Sequence, residues 1–357
     1  WKARRLLDRH SYDAIIVFMM PYSTGGVGLL LRRQTDRPIV FNLNDSPTCS
    51  DMTPTHPTPW HYQWSERLED RFVEAGDAVI YVSERNLKRV RRRQPPEEQN
   101  TFHLIRRGAP PMPEPETPPG QRPDLHISYV GGTGGWYKFL EDDPSPSTLK
   151  QLYRTWEDLG TDVRAELDHR THSPIYVGRA VRRVVEQHPP WRGRIHVDVY
   201  GQRYSPEVTD AVLSKFDLHD IVTLHGPVPH EEALQKMVQS DLLFMALPDR
   251  PDGSPGGRIS AKTYEYLSTD RPILAALPPG ENREYLQDKP GVHLTAPDDV
   301  EAMSAVVREG AAATFDGSPP SIDRSALQPS LSSTARAQAF DDLLSDLVPT
   351  ARPVPQR

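Results

Sequence analysis

The chain has 357 residues, 36% of them hydrophobic, enough for two domains of ordinary size. Its 42 Lys and Arg against 49 Asp and Glu leave a formal net charge of −7, which argues against a protein whose main partner is the phosphate backbone of a nucleic acid. A single cysteine, Cys49, excludes an internal disulfide and a cysteine-based zinc site, as expected of a reducing, cytoplasmic compartment.

The opening WKARRLLDRH reads as the closing turns of a helix, with Trp1 where a methionine would start a chain, so the first domain is expected to be incomplete at its start. The longest apolar run, AIIVFMM at 14–20, falls far short of the ~20 residues a membrane-spanning helix needs. Up to residue 104, the apolar runs YDAIIVFMM, RPIVFNLND, AVIYVS and TFHLI alternate with amphipathic segments such as SERLEDRFVEAGD. Continuous Val- and Ile-rich runs separated by helical periods predict a parallel sheet covered on both faces. The 37 prolines are about twice the usual ~5% share, and they are densest in PPMPEPETPPGQRPD at 110–124, which predicts an extended connector.

Beyond it, HISYVGG, RIHVDVYGQ, IVTLHGPV, DLLFMALP, RPILAALP and GVHLTAP repeat the pattern, so each half reads as a doubly wound α/β domain. The expected divisions are an N-terminal domain at 1–112, a linker at 113–124 and a second domain at 125–331. An insertion at about 133–172 follows the second domain's first strand. A helix at 332–348 returns to the first domain, and a tail runs over 349–357. Trp136, Tyr137, Phe139, Leu149, Leu152 and Trp156 make the insertion too apolar for a free linker, and 147–170 is expected to be helical.

The most informative stretch is DLLFMALPDRPDGSPGGRISAKTYEYLSTDRPILAALP at 241–278, a strand, a glycine-rich loop, a helix and a strand. Gly253, Gly256 and Gly257 let backbone amides approach an anion, and the helix start behind them adds unpaired N–H groups. Arg258 and Lys262, four residues apart at that start, oppose the helix dipole unless an anionic ligand offsets them. Glu265, three residues after Lys262, has the geometry to accept hydrogen bonds from two vicinal hydroxyls; an exposed, solvated Lys–Glu pair is the alternative.

KTYEYLSTDRPILA resembles the C-terminal signature of family 4 glycosyltransferases, and LEDRFVEAGDAVIYVSE, HLIRRGAP, HISYVGG and LHGPVPHEEALQKMVQSDLLFMALP resemble further family segments. The resemblance implies a GT-B fold, two Rossmann-like domains facing a cleft. It also implies a nucleotide-diphosphate sugar as donor, retention of anomeric configuration and no metal or other cofactor. The acceptor it implies is a hydroxyl on a glycan or lipid-linked molecule, in polysaccharide or envelope glycan assembly. Glu265 matches the family's ribose-holding glutamate, and Arg258 and Lys262 would face the diphosphate. Gly131, Gly132, Gly226, Val228, Gly256, Gly257, Ile259 and Ser260 would border the donor.

Departures from the family pattern are equally definite. Its first glutamate falls on Gly257, which leaves Asp249 or Asp252 as substitutes if the loop folds back. In place of the usual arginine and lysine after the strand stands GGTGGWYK, so Lys138 and Arg179 are only candidate clamps. The glycines there, Gly134 and Gly135 included, serve close packing equally well. Asn44 stands where the family often has histidine, with Asp45 beside it, and cannot exchange protons near neutral pH. Gly25 and Gly26, in STGGVG, either border the diphosphate or form a simple helix-start turn. His225 reads as packing or solvated, while His56, His61, His169 and His172 receive no role.

In ERNLKRVRRRQ, residues 85–93 carry six cations on one short helix, a candidate for peripheral contact with the inner face of a membrane, or a solvated face. H-E-x-x-H, G-x-S-x-G and G-K-S/T motifs are absent from the sequence. Two other readings stay open: a non-catalytic GT-B homologue that binds nucleotide sugar or a partner protein, and a GT-B epimerase acting on the nucleotide sugar.

Overall fold

The computed structural model describes residues 2–44, 46–48, 59–116, 122–141 and 167–348, with 148 and 152 besides. A short helix α1 (Lys2–Arg9) leads into β1 (Ile15–Phe18), α2 (Thr24–Arg32), β2 (Ile39–Leu43), α3 (Pro59–Ala75), β3 (Ala78–Tyr81), α4 (Glu84–Arg91) and β4 (Phe102–Leu104). The four strands pair in parallel in the order β1-β2-β3-β4. In β2 the pleat sends Ile39, Phe41 and Leu43 to one face, against Phe72 and Val73 of α3 and Leu87 and Val90 of α4. Val40 points the other way, towards Ala78, Ile80, Ile105 and Leu343.

The second sheet holds β5 (Leu125–Val130), β6 (Ile195–Tyr200), β7 (Val222–Gly226), β8 (Leu242–Ala246), β9 (Ile273–Ala276) and β10 (Val292–Thr295), all parallel in the order β10-β9-β8-β5-β6-β7. One face packs on α5 (Ile175–Gln187), α6 (Pro206–Lys215) and α10 (Val300–Phe315). The other packs on α7 (His230–Gln239), α8 (Ala261–Leu267), α9 (Glu281–Leu286) and α11 (Gln328–Leu331). Both faces of β8 are therefore apolar, Phe244 to one side and Leu243 and Met245 to the other, which is why this strand reads as an uninterrupted apolar run.

Of the apolar residues in the stretch after β5, Trp136 is fully buried and Phe139 nearly so, both in the core of the six-stranded domain. Tyr137 and Leu152 are exposed. Leu149 and Trp156, and most of the helix expected over 147–170, lie outside the described residues, as do Cys49, His56, part of the linker and the tail at 349–357. No helix among the described residues is long and apolar enough to cross a membrane.

The last helix, α12 (Ser333–Leu347), leaves the second domain and lies on the open face of the first sheet. Leu343 is buried there, with Phe340, Leu344 and Leu347 partly so. The entry is pinned where the Ala109 amide donates to the Leu331 carbonyl (2.6 Å) and the Ser333 amide to the Ala109 carbonyl (2.8 Å). A Cβ on Gly108 would stand 2.5 Å from the Ser332 carbonyl oxygen, so only glycine admits this approach. Deleting 332–357 strips that face of its cover and is expected to cost on the order of 3 to 5 kcal/mol in denaturant unfolding, whereas trimming 349–357 leaves the set intact; equal losses would refute this docking.

Candidate functional site

The carboxyl ends of the two sheets face each other, and one carboxylate joins them. Glu281, the first residue of α9 and 6% exposed, accepts hydrogen bonds from the Ser83 hydroxyl (2.6 Å), the Glu84 amide (2.8 Å) and the Arg85 amide (2.9 Å). These are the unpaired donors at the start of α4, so a side chain of the second domain caps a helix of the first. The Arg106 guanidinium (2.8 Å) completes the set, and its own pKa is raised, since Glu281 outweighs the burial that would lower it. The same turn fixes the glycine-rich loop: the Gly256 amide donates to the Pro279 carbonyl (3.1 Å) and the Glu281 amide to the Gly256 carbonyl (2.9 Å). Gly280, at φ 141°, lies backbone to backbone against Gly256.

This changes the part the loop plays. The amides of Gly253 and Gly256 are spent on Arg250 and Pro279 carbonyls, and that of Ser260 on Asn282 Oδ1 (2.9 Å), so they are turned away from an anion in the cleft. Ile259 is packed in the core. Side chains add a positive field at this point. Lys262 is driven down in pKa by burial first and by Arg258 second, with Glu265 opposing. Of the two, Lys262 is the one on which burial weighs and Arg258 is half-buried, so the positive charge beside the loop is only partly exposed to water.

His172 completes the cluster and has no signal in the sequence. The segment before α5 is stitched to the loop after β8, the Asp168 amide donating to the Asp249 carbonyl (2.9 Å) and the Asp249 amide to Thr171 Oγ1 (2.7 Å). That brings His172 within the field of Arg258 and Lys262, and burial, those cations and His169 push its pKa down to about 3. It stands in the cleft as a neutral imidazole at neutral pH. On the next turn of α8, Glu265 is only 15% exposed, with His230 Nε2 3.7 Å from its Oε1.

The remaining sequence candidates fall to other duties. A Cβ on Gly257 would overlap the Asn86 carboxamide of α4, so a side chain in the place of the family's first glutamate would require that asparagine of the opposite domain to move. Asp252 accepts instead from the Ser254 amide and hydroxyl in its own turn, and the Asp249 backbone, through its amide, is held by Thr171. Lys138 pairs with Glu141 (2.9 Å). Arg179 lies over Tyr176 and Phe216, on the side of α5 away from its buried stripe. Gly131 and Gly132 sit at the end of β5, close-packed against the Tyr129 ring and the Gln202 backbone. Gly134 and Gly135 pack likewise against Tyr204 and His169. Gly25 is wedged against Met19 and Phe72, and the amides of Gly25 and Gly26 are bonded to Tyr22 and Ser23. Gly226, at φ 83°, ends β7 in open space, with Val228 half-buried beyond it. Asn44 ends β2 with its Oδ1 buried and unbonded among the described residues, and Asp45 lies outside them. His225 is bonded to Asp198 (2.6 Å), which also holds His126 (2.9 Å), and stacks on Tyr200, so it belongs to the sheet surface.

Comparison with known proteins bears on the fold. Residues 1–103 match the family model of the glycosyl transferase 4-like domain. No curated protein matches the chain. HepE of Anabaena, solved in complex with UDP and glucose, is similar over 96% of this chain and 81% of its own, at 14% identity and a TM-score of 0.58. Sucrose-phosphate synthase of Thermosynechococcus elongatus is similar over 97% and 76%, at 13% identity and 0.58. A glycosyltransferase of Rickettsia africae covers 98% and 80%, at 12% identity and 0.56. The fold is GT-B, and the resemblance to family 4 glycosyltransferases is borne out.

Two outcomes follow from the buried carboxylate and the buried imidazole. Glu281→Gln leaves at least one buried donor facing an NH2 group, so unfolding free energy should drop by about 1 to 3 kcal/mol and the radius of gyration in solution scattering should rise; wild-type values in both would remove Glu281 as the joint. His172 is favoured neutral in the fold. Its contribution to stability is therefore complete above the ordinary imidazole pKa of 6.5 and is lost as pH falls towards 3. His172→Gln should flatten the fall in melting temperature across that window, and an unchanged slope would contradict the placement.

Proposed function

We propose that this chain is a glycosyltransferase that moves a sugar, of the hexose type, from a nucleotide-diphosphate donor to a hydroxyl of a glycan or lipid-linked acceptor, with retention of anomeric configuration. The carrying observation is the cluster of Arg258, Lys262, neutral His172 and Glu265 at the carboxyl ends of β5 and β8, where ligands of open parallel sheets sit. UDP or UDP-glucose is bound by HepE, whose fold this chain shares, and UDP with GlcNAc by the similar pneumococcal O-GlcNAc transferase GtfA.

In this reading each residue has a chemical task. Transfer makes a sugar with oxocarbenium character and a diphosphate that departs with extra negative charge. Arg258 and Lys262 stabilise that charge, and they do so strongly because they are already oriented and partly desolvated. His172, neutral beside them, adds a hydrogen bond without a third positive charge. Glu265 accepts from the two ribose hydroxyls, and its carboxylate tempers the repulsion between the cations behind it. No step is assigned to a metal ion or other cofactor. Assembly of polysaccharide or envelope glycan in the cytoplasm, at the inner face of a membrane, is the setting that the family resemblance implies for such a transfer.

Turnover of UDP-, GDP-, TDP- and ADP-sugars with and without acceptor separates transfer from isomerised donor and from no reaction, which are the outcomes for an epimerase and a non-catalytic homologue. The residue test is sharper. Glu265→Gln keeps the volume and removes charge-assisted bonds to two hydroxyls, so nucleoside diphosphate affinity should fall by about 1.5 to 3 kcal/mol, roughly ten- to a hundredfold. Lys262→Met should weaken the same binding at fixed ionic strength. If both variants fold and bind as tightly as wild type, the site is assigned wrongly.

A further inference from the structure

The cations of α4 face a cavity. Arg85, Lys88, Arg89 and Arg92 recur at the spacing of one helix stripe and line a space of about 440 Å³ at the junction of the two domains, with Pro255 and Glu284 opposite. The sequence offered residues 85–93 as a peripheral membrane contact or a solvated face. The sixth cation of that run, Arg93, is turned into the first domain, where it bonds Glu69 (2.7 Å) and Asp70 (2.8 Å).

The charge balance of the cavity is positive where a ligand would stand. The Glu281 carboxylate in its wall is consumed by Ser83, two amides and Arg106. Arg85 bonds Glu284 through Nη2 (2.6 Å), but its Nε is buried and has no hydrogen-bond partner among the described residues. Lys88 pairs with Glu84 of its own helix (2.6 Å), a second carboxylate of the cavity wall, in an exposed pair of small worth. Arg92 is exposed and makes no ion pair among the described residues. The volume lies within the range of small-molecule sites. Pro255 stands three residues before Arg258, so the cavity adjoins the donor cluster along one loop without sharing its side chains.

We propose that this cavity binds the anionic group, a phosphate or carboxylate, of the acceptor saccharide, so that the enzyme acts on a negatively charged glycan. The inference rests on the glycosyltransferase reading. Guanidinium groups match both anions in geometry, and two or more around one cavity hold such a group in a fixed orientation. A charged group anchored here sets which hydroxyl of the neighbouring sugar reaches into the cleft.

The test uses the full chain, wild type and Arg85→Ala/Arg92→Ala, with UDP at saturation so that Arg258 and Lys262 are occupied. Binding of inorganic phosphate, a glucuronate-containing disaccharide and a neutral disaccharide of the same size is followed by NMR titration. Both anions should bind wild type about tenfold or more tightly than the double variant, with the neutral sugar indifferent to the change and UDP affinity the same in both proteins. Equal anion binding by the two proteins overturns the proposal, as does a parallel loss of UDP binding. Capture by phosphatidylglycerol vesicles, lost in the double variant and without binding of either soluble anion, also overturns it in favour of a membrane surface. Failure of wild type to bind UDP counts against the glycosyltransferase reading alone, because the glucuronate arm still decides the cavity.

Discussion

A single carboxylate organises the region where the two domains meet. Glu281 is almost sealed from water, a position that a charge tolerates only when every lone pair is used. Four donors use them, and all four belong to the first domain: the Ser83 hydroxyl, two amides of α4 and the Arg106 guanidinium. Because the same residue also bonds the glycine-rich loop through its own amide, the joint and the loop are one unit. The close approach of Asn86 to Gly257 follows from it, since α4 is drawn by its first turn onto the loop. A side chain at 257 would displace the Asn86 carboxamide from this place, which favours glycine where the related family carries an acid.

With the amides of Gly253, Gly256 and Ser260 bonded within the loop and its neighbours, side chains and what surrounds them carry much of the electrostatics of the cleft. Lys262 and Arg258 repel each other in a place with little water, and His172 is kept uncharged by the same field. Glu265 moderates it without cancelling it, remaining partly accessible beside His230. The balance differs from that of the cavity along α4, where the cations are more exposed and Lys88 and Arg85 are tied to carboxylates at the rim.

Much of the fold was legible in the sequence because burial on both sheet faces writes a continuous apolar run, as in DLLFMALP and RPILAALP, and helices between them write another period. Arg258, Lys262 and Glu265 were legible for a related reason, being spaced by turns of one helix. What escaped depends on contacts between distant segments. Nothing in the sequence near His172 shows that Thr171 will be sewn to Asp249, and nothing near Asn86 shows that its amide will meet Gly257. The glycines of 131–135 left two roles open in the sequence, because a strand-end glycine that admits a phosphate and one that admits a tyrosine ring read alike; the structure adds the ring of Tyr129 beside Gly131.

The return of α12 has a consequence for how the protein comes into being on the ribosome. Val40, Ala78 and Ile80 are made early, yet the helix that covers them is the last described element of the chain. The first sheet can pair its strands and pack α3 and α4 while synthesis continues, but its other face stays bare until more than two hundred further residues have emerged. The second domain, whose two faces are covered by helices close to it in sequence, is complete before the first one is. Maturation therefore runs against the order of synthesis, and the nascent chain needs its half-covered sheet shielded until the final helix is released.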